Sequence, residues 1–167
     1  MDPIELYENL AKRYYELKLS QNQWWSFISY NEPLTIEFID FFYRNIDWKA
    51  LSRSPYLKDY IIEKYSNRLD WCQVARGNLS ENFLRKHFIE LSVNQICMFQ
   101  NLSEEFISDY SEKLNWDLIS QYQNLSVEFI KRNIEKINPE KIKINKNFSV
   151  VDRGKLAAMI MSYKDLL

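Results

Sequence analysis

His87 is the one histidine of the chain and Cys72 and Cys97 its two cysteines, so imidazole acid–base chemistry or thiolate attack would have to run through these positions. The cysteines stand at unlike places, neither has an identifiable base, and no second Cys or His lies at metal-ligand spacing from either. Both read as free thiols of a reducing compartment. Glu104 and Glu105 are paired carboxylates, but they follow a capping Ser103 and fall where the positive end of a helix dipole favours negative charge. Gly77 and Gly154 are isolated, and no Gly-rich loop or Walker-type Lys accompanies them, so no phosphate cradle is written here. The five tryptophans have the chemistry of stacking platforms for bases or glycans, yet four of them recur at one place in a repeat, where a core is expected instead. These residues predict no catalytic, cofactor or metal site, and the chain is read as not an enzyme.

One recurring position differs in chemistry from copy to copy: Tyr30, Arg53, Arg76, Met98 and Gln121. Tyr and Arg are enriched where binding energy concentrates, and Met adapts to irregular surfaces, so this row is the candidate partner-binding site. A partly buried row between repeats is the competing explanation. Charge is uneven along the same stretch: residues 48 to 92 hold eight Lys or Arg against five acids, and residues 93 to 116 hold four acids and one Lys. Such a division could steer a charged partner, although solvated helix faces account for it as well.

The elements that position these residues follow from a repeat of about 23 residues. Trp25, Trp48, Trp71, Val93 and Trp116 open five units, and Pro139 opens a degenerate sixth. Three residues later comes an aliphatic side chain, followed at once in the five full units by a small one, Ser29, Ser52, Ala75, Cys97 and Ser120. A short helix with its aromatic and aliphatic inward and its small residue against a neighbouring helix satisfies that pattern. Asp47, Asp70, Ser92, Asn115 and Asn138 precede the later openers as N-caps. Trp24 takes that place in the first unit, which puts it at the junction with the N-terminal helix or on the surface. Ser or Thr after an apolar residue, as in Leu34-Thr35, Leu102-Ser103 and Leu125-Ser126, then starts a second helix, expected to run about 12 residues. Its apolar stripe is Phe38, Ile39, Phe42 and Ile46 in the first unit and Phe106, Ile107, Tyr110 and Leu114 in the fourth. His87 falls in the row held elsewhere by Phe42, Tyr65, Tyr110 and Asn133, which assigns it a half-buried helix face.

The predicted fold is all-α, an α-solenoid of stacked short-helix/long-helix hairpins with capping helices at both ends. Residues 1–167 read as one helical-repeat domain: an N-terminal cap helix in 1–22, five repeats in 23–138, and a degenerate repeat with a C-terminal cap helix in 139–167. Asp2-Pro3 starts the first cap helix, striped by Ile4, Tyr7, Leu10, Tyr14 and Leu17; at the other end Asp152 and Arg153 occupy places that are apolar in other units. Aromatic residues make up 16% of the chain and only two Gly appear, which argues for order throughout. The 22 basic and 23 acidic residues nearly cancel, removing the global basic excess of a typical nucleic-acid binder. No signal peptide and no run of 18 apolar residues occurs, so a cytoplasmic location is expected.

The unit Asn101-Leu102-Ser103-Glu104-Glu105-Phe106-Ile107, continued by Lys113-Leu114-Asn115-Trp116-Asp117-Leu118-Ile119-Ser120, resembles a tandem repeat of uncharacterised proteins of large DNA viruses and some phages. The resemblance covers residues 25 to 148 and implies a helical repeat fold and a viral or mobile-element origin, with no catalytic residue to carry over. The expected function is a non-enzymatic protein–protein interaction module whose partner is a host or defence component, inhibition of a defence nuclease being its sharpest form; location would then be the host cytoplasm. A nucleic-acid-binding helical repeat, one nucleotide per unit, is the alternative, against which stand the neutral charge and the lack of a repeated basic position. An enzyme with a site assembled between repeats would need His87 or Cys72 to meet a carboxylate in a pocket.

Overall fold

The computed structural model describes residues 2–165 and is all-α: thirteen α-helices and one short 3-10 helix, with no strand among the described residues. It divides into two compact units, residues 1–80 and residues 81–167.

The first unit contains α1 (Pro3–Arg13), a 3-10 turn (Tyr15–Leu17), α2 (Gln21–Asn31), α3 (Ile36–Phe41), α4 (Trp48–Leu51), α5 (Asp59–Lys64) and α6 (Trp71–Val74). Asp2 caps α1 by accepting from the Ile4 and Glu5 amides at 2.8 and 3.2 Å, and Pro3 supplies the first helical residue. The N-terminal helix expected within 1–22 ends at Arg13, and Lys18, with φ 47°, closes the 3-10 turn in the left-handed region. Of its expected stripe Leu10 alone is buried, and Ile4 and Leu17 are exposed. Because Trp24 cannot cap, α2 runs back to Ser20, whose capping box with Gln23 makes this helix 11 residues long. Trp24 lies at the junction with α1, its ring 6.2 Å from Tyr7 and 6.3 Å from Tyr14. Glu32, buried at the end of α2, fastens the same junction by accepting from Arg13 at 3.3 Å and from the Tyr14 hydroxyl. Helices α2 and α4 pack on one another, as do α1 and α3.

The second unit contains α7 (Glu81–Lys86), α8 (Val93–Phe99), α9 (Glu104–Asp109), α10 (Trp116–Tyr122), α11 (Val127–Arg132), α12 (Pro139–Ile142) and α13 (Val150–Lys164). Here α8, α10 and α12 stack in series and α13 packs on α12. Caps formed by side chains recur as expected at Asp47, Asp70, Asn115 and Asn138, and at Thr35, Ser103, Ser126 and Ser149. Ser92 and Lys58 hold cap positions without that bond.

The second helix of each repeat is shorter than expected: α3, α5, α7, α9 and α11 are six residues each. The chain leaves helical geometry at Phe42, Tyr65, Tyr110 and Asn133, where φ lies between −101° and −115° and ψ between 16° and 26°. A tight turn follows, in which Asn45, Arg68, Lys113 and Lys136 donate three residues back at 2.8–2.9 Å. Ile46 and Leu114 still donate four residues back, so they reach the core face a continuous helix would have given them. Apolar periodicity is therefore the same for the interrupted and the continuous form.

The row of small residues is buried throughout, and its serines also make hydrogen bonds. Ser52 Oγ donates to the Trp48 carbonyl at 2.6 Å and accepts from the Asp70 amide at 2.9 Å; Ser120 does the same between Trp116, at 2.7 Å, and Asn138, at 3.0 Å. Ser29 accepts from Asp47 at 3.2 Å. Each joins the first helix of one repeat to the cap of the next. Among the openers Trp25 is in the core, whereas Trp48, Trp71 and Trp116 are half-buried. Trp48 packs 5.3 Å from Tyr65 under the Arg68 guanidinium, and the Trp116 indole N–H donates to the Ser111 carbonyl.

Candidate functional site

Ser29, Ser52 and Ala75 point into the first unit, and a helical step of roughly 100° turns the next side chain outward. Tyr30, Arg53 and Arg76 are accordingly exposed, and all three line one open pocket of about 790 Å³. Tyr30 stands in the last turn of α2, held by the Ser54 hydroxyl, which donates to the Tyr30 carbonyl at 2.8 Å. Arg53 follows α4 and its amide donates to the Ala50 carbonyl at 3.1 Å; Arg76 follows α6 and donates to Gln73 at 3.0 Å. Gly77 completes that wall, where a Cβ would come within 3.3 Å of the Val74 carbonyl oxygen.

Leu19, Phe27, Ala50 and Pro55 supply the apolar part of the lining, and Gln23, Asn31, Gln73 and Asn78 supply amides. The lining carries two guanidinium groups and no Asp or Glu. It also lacks Lys, His and Cys, and its hydroxyls, Ser26 and Tyr30, have no base beside them. The arrangement can hold an acceptor-rich or negatively charged group against an apolar floor, and it presents no nucleophile–base pair.

Met98 and Gln121, the other members of the row, lie half-buried on α8 and α10 of the second unit. His87 stacks on Phe83 with centroids 4.3 Å apart, and its Nδ1 lies 3.8 Å from Glu90. Cys97 is buried against the Asn115 backbone, and burial pushes its thiol above the usual cysteine range; Cys72 is exposed. Glu104 accepts from the Ser126 amide at 2.6 Å, and Glu81 accepts from the Ser103 amide and hydroxyl at 3.2 and 3.0 Å. Despite burial, which raises it, the Glu81 pKa lies below the ordinary value because of those Ser103 bonds and the Arg85 guanidinium. First-turn carboxylates thus tie one repeat to the cap of the next.

A second polar row was hidden in the repeat. Buried Gln123 donates its amide to the Cys97 and Gln100 carbonyls, both at 2.8 Å, and accepts from the Leu102 amide at 3.0 Å. Asn145 repeats this one unit later, donating to Ser120 and Gln123 at 2.8 and 2.9 Å. Its trace in the sequence is a buried polar residue six or seven positions after five of the six openers: Glu32 after Trp25, Ser54 after Trp48, Gln100 after Val93, Gln123 after Trp116 and Asn145 after Pro139. Arg13, the partner of Glu32, has no such trace, because it lies in the N-terminal helix outside the repeat frame.

No group of three or more His, Cys, Asp or Glu among the described residues could hold a metal ion, and no helix among them is long and apolar enough to cross a membrane. No family model, curated protein or solved structure matches the chain.

Proposed function

We propose that the protein is a non-enzymatic protein–protein interaction module, built as an α-solenoid and binding its partner through the first-unit pocket. The observation that carries this reading is the convergence of Tyr30, Arg53 and Arg76, from three successive repeats, on one pocket of about 790 Å³. That volume lies within the range of formed ligand sites, and its residue types are those of binding hot spots. The groups elsewhere that resemble chemistry are occupied in structure: Cys97 in a seam, and Glu81 and Glu104 in links between caps. The repeat resemblance supports a viral setting, with a host or defence component as partner and the host cytoplasm as location.

Nucleic-acid binding is weaker because Arg53 and Arg76 are followed in the row by Met98 and Gln121, so no basic position recurs along the repeats to track a phosphate backbone. The test is affinity purification from candidate host lysates with the wild-type chain and with a Tyr30→Ala/Arg53→Glu/Arg76→Glu variant, read by mass spectrometry. Proteins retained by the wild type and lost by the variant are expected. Identical capture by both would place the contact elsewhere, and no capture above background would count against the module.

A further inference from the structure

We infer that α13 of one copy docks on the N-terminal helix α1 of a second copy, a head-to-tail contact between two different faces. Helix α13 packs on α12, and Leu156, Ala157 and Ile160 are its buried side. Its outer side is apolar as well. Val150, Gly154, Ala158 and Met161 follow spacings of four, four and three, which set them in one stripe beside Val151, and all five are exposed. Val150 is 76% exposed and Val151 64%, and a Cβ added to Gly154 would meet nothing within 4 Å. The last helix of a stacked series needs a polar outer face to remain in water, and this one has instead the face of a helix with a neighbour.

The first unit holds a surface that matches it. Ile4, Glu8 and Ala11 share one side of α1 at spacings of four and three, and Ile4 is exposed. Ala11 also joins Tyr14, Tyr15, Lys18, Leu19 and Trp24 around a cleft of about 400 Å³. Val151 and Met161 are of a size to enter such a cleft, while Gly154 and Ala158 let two helix backbones approach closely. Charge pairs these two faces with one another. Glu5 and Glu8 are exposed on α1 and no cation among the described residues bridges them; Lys146, before α13, and Lys155, on it, likewise have no carboxylate. Lys12 and Asp152, the opposite charges beside each set, also complement one another. Pairing α13 with α13 would instead set Lys155 against Lys155 across the two-fold axis and leave the α1 carboxylates unmatched.

Sedimentation equilibrium of the whole chain tests the contact. Mass should rise with protein concentration beyond that of one chain, and added salt should lower it. Two variants separate the faces: Val151→Glu/Met161→Glu alters α13 alone, and Ile4→Glu/Tyr15→Glu alters α1 alone. Each should stay monomeric by itself, and an equal mixture should give a one-to-one heterodimer, because each supplies the face the other lacks while the two altered faces repel. Glu8→Lys should weaken self-association at least about tenfold, and Lys155→Glu added to the same chain should restore most of it. All the altered side chains are exposed, and circular dichroism of each variant separates lost association from lost fold. A wild-type chain that stays monomeric up to about 1 mM overturns the contact. So does a double variant that still associates alone, as pairing of one helix with its own copy would allow, or a mixture that stays monomeric. None of these substitutions lies in the first-unit pocket, so the lysate capture decides the interaction module separately.

Discussion

At the scale of residues, one side chain often carries a packing and a polar task together. Ser120 is small enough for the seam between stacked helices, and its hydroxyl also bridges the Trp116 carbonyl and the Asn138 amide. Replacing Ser120 by Ala keeps the fit and removes the acceptor of the half-buried Asn138 amide, so unfolding free energy should fall by about 0.5–1.5 kcal/mol in urea denaturation. Ser120→Cys should cost less, because Cys97 already fills the equivalent place. A loss for Ala no larger than for Cys would mean that the hydroxyl contributes nothing beyond its volume. The smallness of this row was legible from its alignment; the hydrogen bonds were not, because they require the next repeat's cap to lie opposite. Gln123 makes the same point more strongly, its amide reaching carbonyls 23 and 26 residues away.

At the scale of elements, capping residues were readable because they act within three residues of themselves, a range over which sequence and space agree. Asn115 accepts from the Asp117 and Leu118 amides at 3.1 and 3.3 Å, whereas Ser92 at the equivalent place accepts no capping bond. Asn115→Ala should therefore lower stability by about 1 kcal/mol and Ser92→Ala by distinctly less, measured by thermal or urea unfolding. Equal losses would show that the backbone geometry of the cap, shared by both sites, carries the effect. Second-helix length was misread for a reason belonging to this scale. A six-residue helix followed by a tight turn keeps Ile46 and Leu114 on the core face, so the apolar pattern continues after the helix has ended.

At the scale of the whole molecule, the carboxylates give stability a direction with pH. Asp40, Glu81, Glu112 and Glu37 lie below their ordinary values: Asp40 through Lys64 and Tyr65, Glu112 through Lys136, Glu37 through its own backbone amide and Thr35, and Glu81 through Ser103 and Arg85. The unfolded chain takes up protons at these groups first, so their contribution is complete above an ordinary carboxylate pKa of about 4 and is lost as pH falls below it. Tyr65, raised by burial and then by its bond to Asp40, and Tyr14, raised by Glu32, act at the other end. Their contribution is complete below a phenol value of about 10 and is lost as pH rises beyond it. A plot of melting temperature against pH should hold a plateau between those limits and fall on both sides. A flat acid limb would mean that the exposed pairs are fully screened.

The sequence by itself determined that this chain is all-α, where its repeat units begin, most of the residues that cap them, and that the aliphatic and small-residue rows enter a core, whereas three of the four tryptophan openers expected there are half-buried. Those properties depend on periodicity and on bonds spanning a few residues, and both are written along the chain. It also singled out Tyr30, Arg53, Arg76, Met98 and Gln121 through their variation among copies, the first three of them in the first unit. Only the tertiary structure decided that these three line one pocket free of acids, that second helices stop after six residues, and that buried amides and first-turn carboxylates join successive repeats. The physical reason is distance: these bonds and cavities join residues some 18 to 50 positions apart, and a one-dimensional pattern shows which side chains face outward without showing what they face.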